Sequence, residues 1–358
     1  MKENRLNRVL NEMRERGIPQ MIISDSASIF YLTGKWIDPG ERLLALYLNI
    51  NGDHKFFINK LFPVTEDLGI EKIWYDDTED GVKLISRYVN KDKVMGIDKN
   101  WPARFLLRLM ELGGGSSFVN SSPIVDRIRM CKDKEERELM RKASRINDAA
   151  IEKLIKLIPN ELSEKEMVQE LNRIYDELGA DGFSFEPIIA YGVKAADPHG
   201  IPGSATPRTG DSIVIDIGCI KDHYCSDMTR TVFFKEVPKK LKEIYNIVLE
   251  ANKTAIEIIK PGVRFSDIDK AARDVIEKAG YGEYFTHRTG HSIGIETHEF
   301  GDVSKVNTDE VKPGMIFSVE PGIYLPGEGG VRIEDLVLVT EEGHEVLNSY
   351  NKELTVVG

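Results

Sequence analysis

Cysteine is scarce in this sequence. The chain contains three cysteines in 358 residues, Cys131, Cys219 and Cys225. Three scattered cysteines do not make the disulfide framework that stabilises small secreted domains. Their number is typical of a protein kept in a reducing compartment, and we expect a cytoplasmic protein.

Long apolar runs are absent as well. No run approaches the roughly 18 apolar residues that a membrane-spanning helix needs, so we expect no membrane partner. Residues 1–17 form a charged amphipathic stretch without the apolar centre of a signal peptide.

Positive charge is also in short supply. The chain has 48 Lys and Arg against 59 Asp and Glu, which gives a net charge of −11. No run of Lys or Arg offsets this balance, and an acidic chain disfavours a nucleic-acid partner. The remaining composition is that of an ordinary globular protein, and the length predicts two domains, each with its own core.

Residues 1–125 are predicted to form a small α/β domain. Short β-branched stretches alternate there with amphipathic ones. The expected strands lie around residues 20–25, 42–50, 55–59, 72–77 and 93–98, and the expected helices near 1–17, 79–90 and 102–112. Glycines at 113–115 mark the end of this region. Residues 126–358 are predicted to form the second domain, which opens with a long charged helix from Asp133 to Pro159.

Two segments of the second domain, about one hundred residues apart in the sequence, resemble each other. Residues 149–182 can be aligned with residues 254–282, and each segment has a helix, a proline and a second helix ending at a glycine. Such a duplication predicts two helix–helix–strand units around a central site on a pseudo-twofold axis. Chance similarity between amphipathic helices is the alternative.

Capping patterns support the start of the second helix in each repeat. Ser163 with Glu166 forms a capping box, and Ser266 with Asp269 forms a shorter analogue.

Five side chains of the kind that bind metal ions occur on strand-like segments between residues 212 and 334. They are Asp216, Asp227, His291, Glu320 and Glu334. The four acidic residues interrupt apolar, β-branched runs that otherwise indicate buried strands. Because an unpaired buried carboxylate is very costly, the group needs a common compensating charge. Four carboxylates and one imidazole are enough for two divalent ions.

Asp216 and Asp227 are eleven positions apart, on either side of a turn-like segment. Two antiparallel strands would bring both carboxylates to one face of a sheet. The alternative is one buried, hydrogen-bonded Asp and one surface Asp. Cys225 has the same strand parity as Asp227, so it is either a soft ligand or a small buried thiol beside the site.

Histidines surround the predicted metal site. His287, His291 and His298 fall within twelve residues, which is more imidazole than packing alone explains. His199 belongs to a separate loop rich in Pro and Gly that would suit the rim of a pocket.

Arg332 precedes Glu334 by two positions, and the two side chains share a face if the segment is extended. One interpretation is that Arg332 neutralises the carboxylates or holds a substrate carboxylate bidentately. The other is a plain salt bridge.

The donor set favours Mn2+, Co2+ or Zn2+ over the metals of thiolate sites. Two such ions can bridge a hydroxide and stabilise a tetrahedral oxyanion, and a nearby Glu can carry the proton to a leaving amine. The chemistry predicted from the residues is hydrolysis of an amide or ester.

Four motifs together resemble those of the pita-bread metallopeptidases. They are the two aspartates with ten residues between them, TGHSIG at 289–294, SVEPGIY at 318–324 and VRIED at 331–335. Within that family the chain is similar to the proline-specific branch, the Xaa-Pro dipeptidases (prolidases) and the Xaa-Pro aminopeptidases. YLTG at 31–34 and DPGERLLAL at 38–46 fit the creatinase-type amino-terminal domain of that branch. The resemblance implies an α+β protein, with a carboxy-terminal pita-bread (creatinase/aminopeptidase) fold after a smaller α/β domain.

The resemblance also implies a role for each site residue. Asp216, Asp227, His291, Glu320 and Glu334 match the ligands of two divalent ions, for which Mn2+ is the usual metal and Co2+ a frequent substitute. Glu320 would also carry the proton, and His199 and His298 would support the scissile carbonyl and the tetrahedral intermediate. His287, Tyr324 and Arg332 match accessory positions that line the substrate pocket.

The leading function implied is a prolidase, which cleaves Xaa-Pro dipeptides by means of a metal-bridged hydroxide. An Xaa-Pro aminopeptidase acting on longer peptides is the alternative, and a non-catalytic peptide-binding protein on the same fold is a remote one. The intact ligand set argues against creatinase, which lacks these ligands. The resemblance further implies a homodimer and small peptide substrates with Pro at the second position. Gly301, where relatives commonly have Pro nearby, is expected to loosen one wall of the pocket.

Overall fold

A computed structural model describes all residues of the chain, Met1–Gly358. The chain divides into two compact units, Met1–Arg129 and Met130–Gly358. No helix in either unit combines the length and the apolar character needed to cross a membrane.

Unit 1 is built on one six-stranded sheet in the order β4-β3-β2-β1-β5-β6. Its elements are α1 (Glu3–Glu15), β1 (Gln20–Ile23), α2 (Ser26–Thr33), β2 (Ala45–Asn49), β3 (Lys55–Asn59), β4 (Glu71–Tyr75), α3 (Gly81–Ile85), β5 (Val94–Ile97), α4 (Ala103–Glu111), β6 (Ser117–Asn120) and α5 (Ser122–Met130). All five strands expected from the sequence are present. The sequence patterns missed α2, because this helix is buried on most sides and so shows little amphipathic period.

Unit 2 begins with two helices, α6 (Lys134–Ile155) and α7 (Glu164–Leu178). Asp133 and Glu136 form a capping box that starts α6. The helix ends at Ile155 rather than at Pro159, because Pro159 lies in a following 3-10 turn and a residue before proline disfavours the α conformation. The capping box predicted for α7 at Ser163 is confirmed.

The remaining elements of unit 2 are strands and one further helix pair. They are β7 (Gly182–Phe183), β8 (Ile188–Tyr191), β9 (Ser212–Ile217), β10 (Cys219–Lys221), β11 (Tyr224–Cys225), β12 (Met228–Phe234), α8 (Lys239–Glu257), α9 (Phe265–Lys278), β13 (Gly290–Ser292), β14 (Glu299–Val303), β15 (Ile316–Val319), β16 (Gly322–Leu325), β17 (Gly329–Arg332), β18 (Asp335–Val339), β19 (His344–Val346) and β20 (Val356–Val357).

Each helix pair of unit 2 packs on its own sheet. Apolar side chains of α6 and α7 share a core with the sheet β20-β12-β9-β8. Those of α8 and α9 share a core with the sheet β14-β13-β15-β18-β19. Two helix–helix–sheet units are therefore present, as the internal repeat predicted, and the pseudo-twofold axis between them stays a prediction.

The capping analogue predicted at Ser266 and Asp269 is wrong. Helix α9 begins after Arg264, and no side chain caps it. The Asp269 carboxylate is fully buried and accepts hydrogen bonds from Arg273 and Thr289 instead. The reason lies in the tertiary structure. Arg273 offers the buried Asp269 carboxylate a charged hydrogen-bond donor and Thr289 offers it a hydroxyl, whereas the end of the helix offers only neutral backbone N–H groups.

Gly301 lies in a β-bulge beside the site. The register of β13 and β14 shifts between His291 and Ser292, so that Ser292 pairs with Glu299. Gly301 has a φ of 111°, and a Cβ added there would lie 2.7 Å from Met130 Cε and from Ser292 Oγ. The glycine therefore permits a closely packed bulge rather than a loosened wall.

We predict that Gly301→Ala lowers the free energy of unfolding of unit 2 by about 2 kcal/mol, because the alanine needs both a disfavoured φ and displacement of its neighbours. Gly343→Ala is the matched control, since no atom lies within 4 Å of its added Cβ. Denaturation of the metal-loaded proteins can be followed by far-UV circular dichroism. Equal midpoints for the two variants would contradict the prediction.

Candidate metal centre and active site

The five predicted ligands lie on different strands of unit 2 or directly beside them, and they line one cavity of about 1070 Å³. Asp216 lies on β9, Asp227 directly before β12, His291 on β13, Glu320 directly after β15, and Glu334 between β17 and β18. The antiparallel pairing of β9 with β12, as predicted for the two aspartates, places Asp216 opposite Thr229. Sequence positions up to 118 residues apart thus meet in one site.

The ligand atoms are close enough to share a cation. His291 Nε2 lies 3.6 Å from Asp227 Oδ2 and 3.5 Å from Glu320 Oε1. One ligand atom each from Asp227, His291 and Glu334 lie within 4.8 Å of one another, and all three residues are buried. This cluster of carboxylates and imidazole can therefore hold a metal ion.

Three carboxylate oxygens of the cluster support this interpretation. Asp216 Oδ1, Asp227 Oδ1 and Glu334 Oε1 are buried and have no hydrogen-bond partner. A buried acceptor left unsatisfied costs about 1–3 kcal/mol, and more when it is charged. Oxygens of this kind are the ligands that hard divalent cations take, so the residues present fit the metal that the sequence predicted.

Burial and mutual repulsion make the carboxylates hard to ionise without a cation. Burial is the main cause that raises the pKa of Asp227, and the neighbouring charge of Glu334 raises it further. The pKa of Glu334 is also raised, by burial and then by Glu320. Burial raises the pKa of Glu320 to about 7, against the opposing effect of Arg332.

The imidazole of His291 is held in its metal-binding form. Burial, followed by repulsion from His298 and Arg288, lowers the pKa of His291 to about 3. Its Nδ1 is 3.3 Å from the carbonyl oxygen of Ser292. This contact assigns the proton to Nδ1 and leaves the Nε2 lone pair facing Asp227 and Glu320.

Two hydroxyl groups that the sequence patterns missed orient the ligands. Thr229 Oγ1 donates to Glu334 Oε2 at 2.8 Å. Ser318 Oγ donates to Glu320 Oε1 at 3.1 Å and accepts from the backbone N–H of His291 at 3.0 Å. Strand parity could have indicated both, since each lies two positions from a predicted ligand on the same strand face.

Arg332 forms a salt bridge with Asp216, so it neutralises one carboxylate of the cluster, as the first interpretation has it. Its side chain is 3% exposed, and Nη2 donates to Asp216 Oδ2 at 2.6 Å. Nε donates to Thr229 Oγ1 at 3.1 Å, and Nη1 donates to Tyr324 Oη at 3.0 Å and to the carbonyl oxygen of Pro198 at 3.2 Å. The guanidinium is therefore occupied by protein groups.

Tyr324 and His287 continue this hydrogen-bonded chain. Tyr324 Oη lies 2.8 Å from His287 Nε2, and His287 Nδ1 lies 2.7 Å from the carbonyl oxygen of Arg288. Burial lowers the pKa of His287 to about 4 and raises that of Tyr324 to about 12, so both are neutral near pH 7. The donor order then runs from Arg332 through Tyr324 to His287.

His199 and His298 are more exposed members of the same cavity. The ring of His298 lies against that of His291, with centroids 4.2 Å apart and an interplanar angle of 48°. Burial and then the charge of Arg288 lower the pKa of His298. Cys225, by contrast, is a buried thiol whose Sγ donates to the carbonyl oxygen of Ile295, and burial raises its pKa to about 12. A thiol of this kind is a packing group rather than a ligand.

An apolar wall completes the cavity, and sequence patterns did not identify it. It is formed by Val168, Phe185, Pro187, Ile188, Ile201 and Pro202. Val168 lies on α7, Ile188 begins β8, and the others belong to the segments on either side of β8. A pocket with an apolar wall and converging polar groups is typical of a small-molecule site.

The raised pKa of Glu320 predicts a pH-dependent stability for the metal-free protein. Between the usual value of 4.5 and about 7, folded Glu320 holds a proton that the unfolded chain releases. Protonated Glu320 therefore makes its full contribution to the free energy of unfolding below pH 4.5, and this contribution is lost as the pH rises through 7. We expect wild type and Glu320→Gln, which mimics the protonated group, to melt together at pH 4, and wild type to melt lower at pH 8. Thermal melts in a chelator test this, and a constant difference between the two proteins would contradict it.

The chain is similar to proteins of known family and fold. Residues 138–341 match the model of metallopeptidase family M24, and residues 5–131 match that of the creatinase/prolidase N-terminal domain. The dipeptidase of Pyrococcus horikoshii OT3 is 36% identical, with a TM-score of 0.93 over 99% of this chain and 100% of that chain. The Xaa-Pro dipeptidase of Bacillus anthracis is 32% identical, with a TM-score of 0.92 over 100% of both chains.

An aminopeptidase is also among the similar structures. The X-Pro aminopeptidase of Thermotoga maritima MSB8 is 31% identical, with a TM-score of 0.83 over 97% of this chain and 100% of that chain. These matches confirm the predicted α+β class with a pita-bread unit, and they confirm that the protein is a hydrolase. The chain belongs to metallopeptidase family M24, whose members use divalent metals.

Proposed function

We propose that the protein is a prolidase, a dipeptidase that hydrolyses the bond between any residue and a following proline. The observation that carries the proposal is the group of three unpartnered buried carboxylate oxygens beside a neutral imidazole, inside a cavity large enough for a dipeptide. The similarity to solved dipeptidases, with higher TM-scores than the X-Pro aminopeptidase has, supports the choice within the family.

The residues that would hold two divalent ions are Asp216, Asp227, His291, Glu320 and Glu334. Mn2+ is the metal we expect, with Co2+ or Zn2+ as substitutes. When bound, the metal supplies a Lewis acid and an activated water at neutral pH. Asp227 and Glu334 each have a buried oxygen without a hydrogen-bond partner, which would be available to a cation.

The other steps belong to side chains of this chain. Glu320 lies beside the imidazole of His291 and is oriented by Ser318, so it can accept a proton from the attacking water and return it to the proline nitrogen. His298, neutral because of its lowered pKa, can donate a hydrogen bond to the developing oxyanion, and His199 on the opposite loop can do the same. The Ser318 hydroxyl bonds both the Glu320 carboxylate and the backbone N–H of His291, so it holds these two groups at a fixed separation.

Three further residues would orient a metal ligand rather than take part in the reaction; they are His287, Tyr324 and Arg332. Their chain of hydrogen bonds starts at the Asp216 carboxylate and ends at the Arg288 carbonyl. It fixes the orientation of Asp216 and therefore of one metal ligand. The same proposal includes three further points: a homodimer, a cytoplasmic location, and a boundary between the functional domains at residues 125 and 126.

The first test compares two substrates with the Mn2+-loaded protein. We expect hydrolysis of Leu-Pro and little or none of the tripeptide Arg-Pro-Pro, measured as release of the amino-terminal residue. Efficient cleavage of the tripeptide would favour the Xaa-Pro aminopeptidase instead. A metal-loaded protein that binds these peptides without cleaving either would favour the non-catalytic peptide-binding alternative.

The metal ligands are tested by Asp227→Asn. We expect loss of bound metal and a fall in kcat/KM for Leu-Pro of more than about 100-fold, because metal catalysis supplies several kcal/mol. The melting temperature of the metal-free variant should not fall below that of the metal-free wild type, since the change removes a buried charge without a partner.

Asp274→Asn is the control for this variant. Asp274 is a surface carboxylate on α9 that pairs with Lys270, so its loss should change neither metal content nor turnover. Metal content is measured by atomic emission on dialysed protein. Wild-type metal content and turnover in Asp227→Asn would rule out the dinuclear assignment.

A further inference from the structure

We propose that Glu164 is a positioning residue that holds His199 at the candidate active site. Its buried carboxylate joins the two ends of the segment that carries this histidine, residues 191–203, which we call the His199 loop. The inference rests on the proposed function, because that function gives His199 its part in the reaction.

Glu164 is a charged residue that is shielded from solvent. It lies in the first turn of α7, and its side chain is 0% exposed. Lys194 Nζ donates to Glu164 Oε2 at 2.6 Å, and this lysine side chain is 32% exposed. Because the removal of a carboxylate from water is costly, the contacts that Glu164 makes in the interior have to offset that cost.

The other partners of the Glu164 carboxylate come from both ends of the His199 loop. Oε1 accepts the backbone N–H of Tyr191 at 3.0 Å, and Oε2 accepts the backbone N–H of Gly203 at 2.6 Å. In return, the backbone N–H of Lys165 donates to the carbonyl oxygen of Gly203 at 3.0 Å. One side chain therefore closes the loop on itself and onto the start of α7, as in a compact Ω-loop.

Two further contacts fix the backbone on either side of His199. Asp197 Oδ1 accepts the backbone N–H of His199 at 3.0 Å. Arg332, which also donates to the ligand Asp216, donates to the carbonyl oxygen of Pro198 at 3.2 Å. The backbone of the loop is thus tied to α7 through Glu164 and to the candidate metal centre through Arg332.

The imidazole of His199 depends on this backbone for its position. His199 is exposed and lines the cavity. A donor to a developing oxyanion has to be placed to within about 0.5 Å, and an ordered loop supplies that placement before substrate binds. Loss of the Glu164 anchor should therefore slow the chemical step more than it weakens the binding of substrate.

A purely structural role for Glu164 is the alternative, and Glu166 provides the comparison. Glu166 lies in the same turn of α7, and it forms the capping box with the backbone N–H and hydroxyl of Ser163. Removal of Glu166 should weaken the start of the helix and leave the carboxylate that closes the loop in place. The two acidic residues of one turn thus separate support of the helix from support of the loop.

The test is a double-mutant cycle on the Mn2+-loaded protein with Leu-Pro. An amide has one acceptor oxygen where the carboxylate has two, so Glu164→Gln releases one end of the loop, and we expect kcat to fall roughly 10-fold with a smaller change in KM. His199→Ala should lower kcat roughly 100-fold, as loss of an oxyanion donor does. The double variant should be no slower than His199→Ala alone, because no imidazole is then left to position. Glu166→Ala should retain the kcat of wild type.

Tryptic cleavage gives a readout that does not depend on activity. Glu164→Gln releases Lys194 and one end of the loop, so trypsin should cleave after Lys194 faster in this variant than in wild type or in Glu166→Ala. The fragments are identified by mass. If Glu164→Gln does not fold, its combination with Lys194→Met removes both charges of the pair and carries the same prediction for kcat.

The outcomes separate the inference from the proposed function. Retention of wild-type kcat in Glu164→Gln overturns the inference, and so do losses that multiply in the double variant or an equal loss of kcat in Glu166→Ala. Equal rates of cleavage after Lys194 in Glu164→Gln and wild type also overturn it. If wild type cleaves no Xaa-Pro dipeptide, the proposed function fails, and the tryptic comparison still decides whether Glu164 holds the loop.

Discussion

The constraint on which unit 2 depends is the concentration of like charge in its interior. Asp216, Asp227, Glu320 and Glu334 converge on one cavity, and three of their oxygens have no hydrogen-bond partner. A protein interior tolerates such a group only when protons or a cation neutralise it, as the raised pKa values of Asp227 and Glu334 indicate. The site is therefore built to bind cations, and its metal-free form is strained electrostatically.

The surrounding architecture keeps this repulsion from disrupting the fold. The ligands project from strands whose other faces belong to two separate apolar cores, one beneath each helix pair. Hydroxyl groups of Thr229 and Ser318 fix the carboxylates at short range. Because Arg332 holds the Thr229 hydroxyl and the His291 backbone holds that of Ser318, the ligands can be held in place before any cation binds.

The two arginines that line the cavity differ in how deeply they are buried. Arg332 is enclosed and serves the ligand Asp216, where a charge without a partner would otherwise remain. Arg288 is only partly buried, and it pairs with Asp302, whose side chain is about half exposed. An ion pair as deeply buried as that of Arg332 is costly to break, whereas solvent screens the pair of Arg288.

The sequence by itself determined the class of fold and the ligand types. Acidic residues inside β-branched runs are so costly that the cluster Asp216, Asp227, His291, Glu320 and Glu334 could be predicted as one site. The capping box at Ser163 and five of the six strands of unit 1 were likewise predictable, because short-range rules govern them.

Only the tertiary structure decided which partners these groups take. The Asp269 carboxylate binds Arg273 and Thr289 rather than a helix end, and Arg332 pairs with Asp216, which is 116 residues away, rather than with the nearby Glu334. The bulge at Gly301 and the apolar wall of the cavity likewise depend on contacts between distant segments. Sequence spacing fixes the side of a strand on which a residue lies, but the packing of separate strands and loops fixes what it meets there.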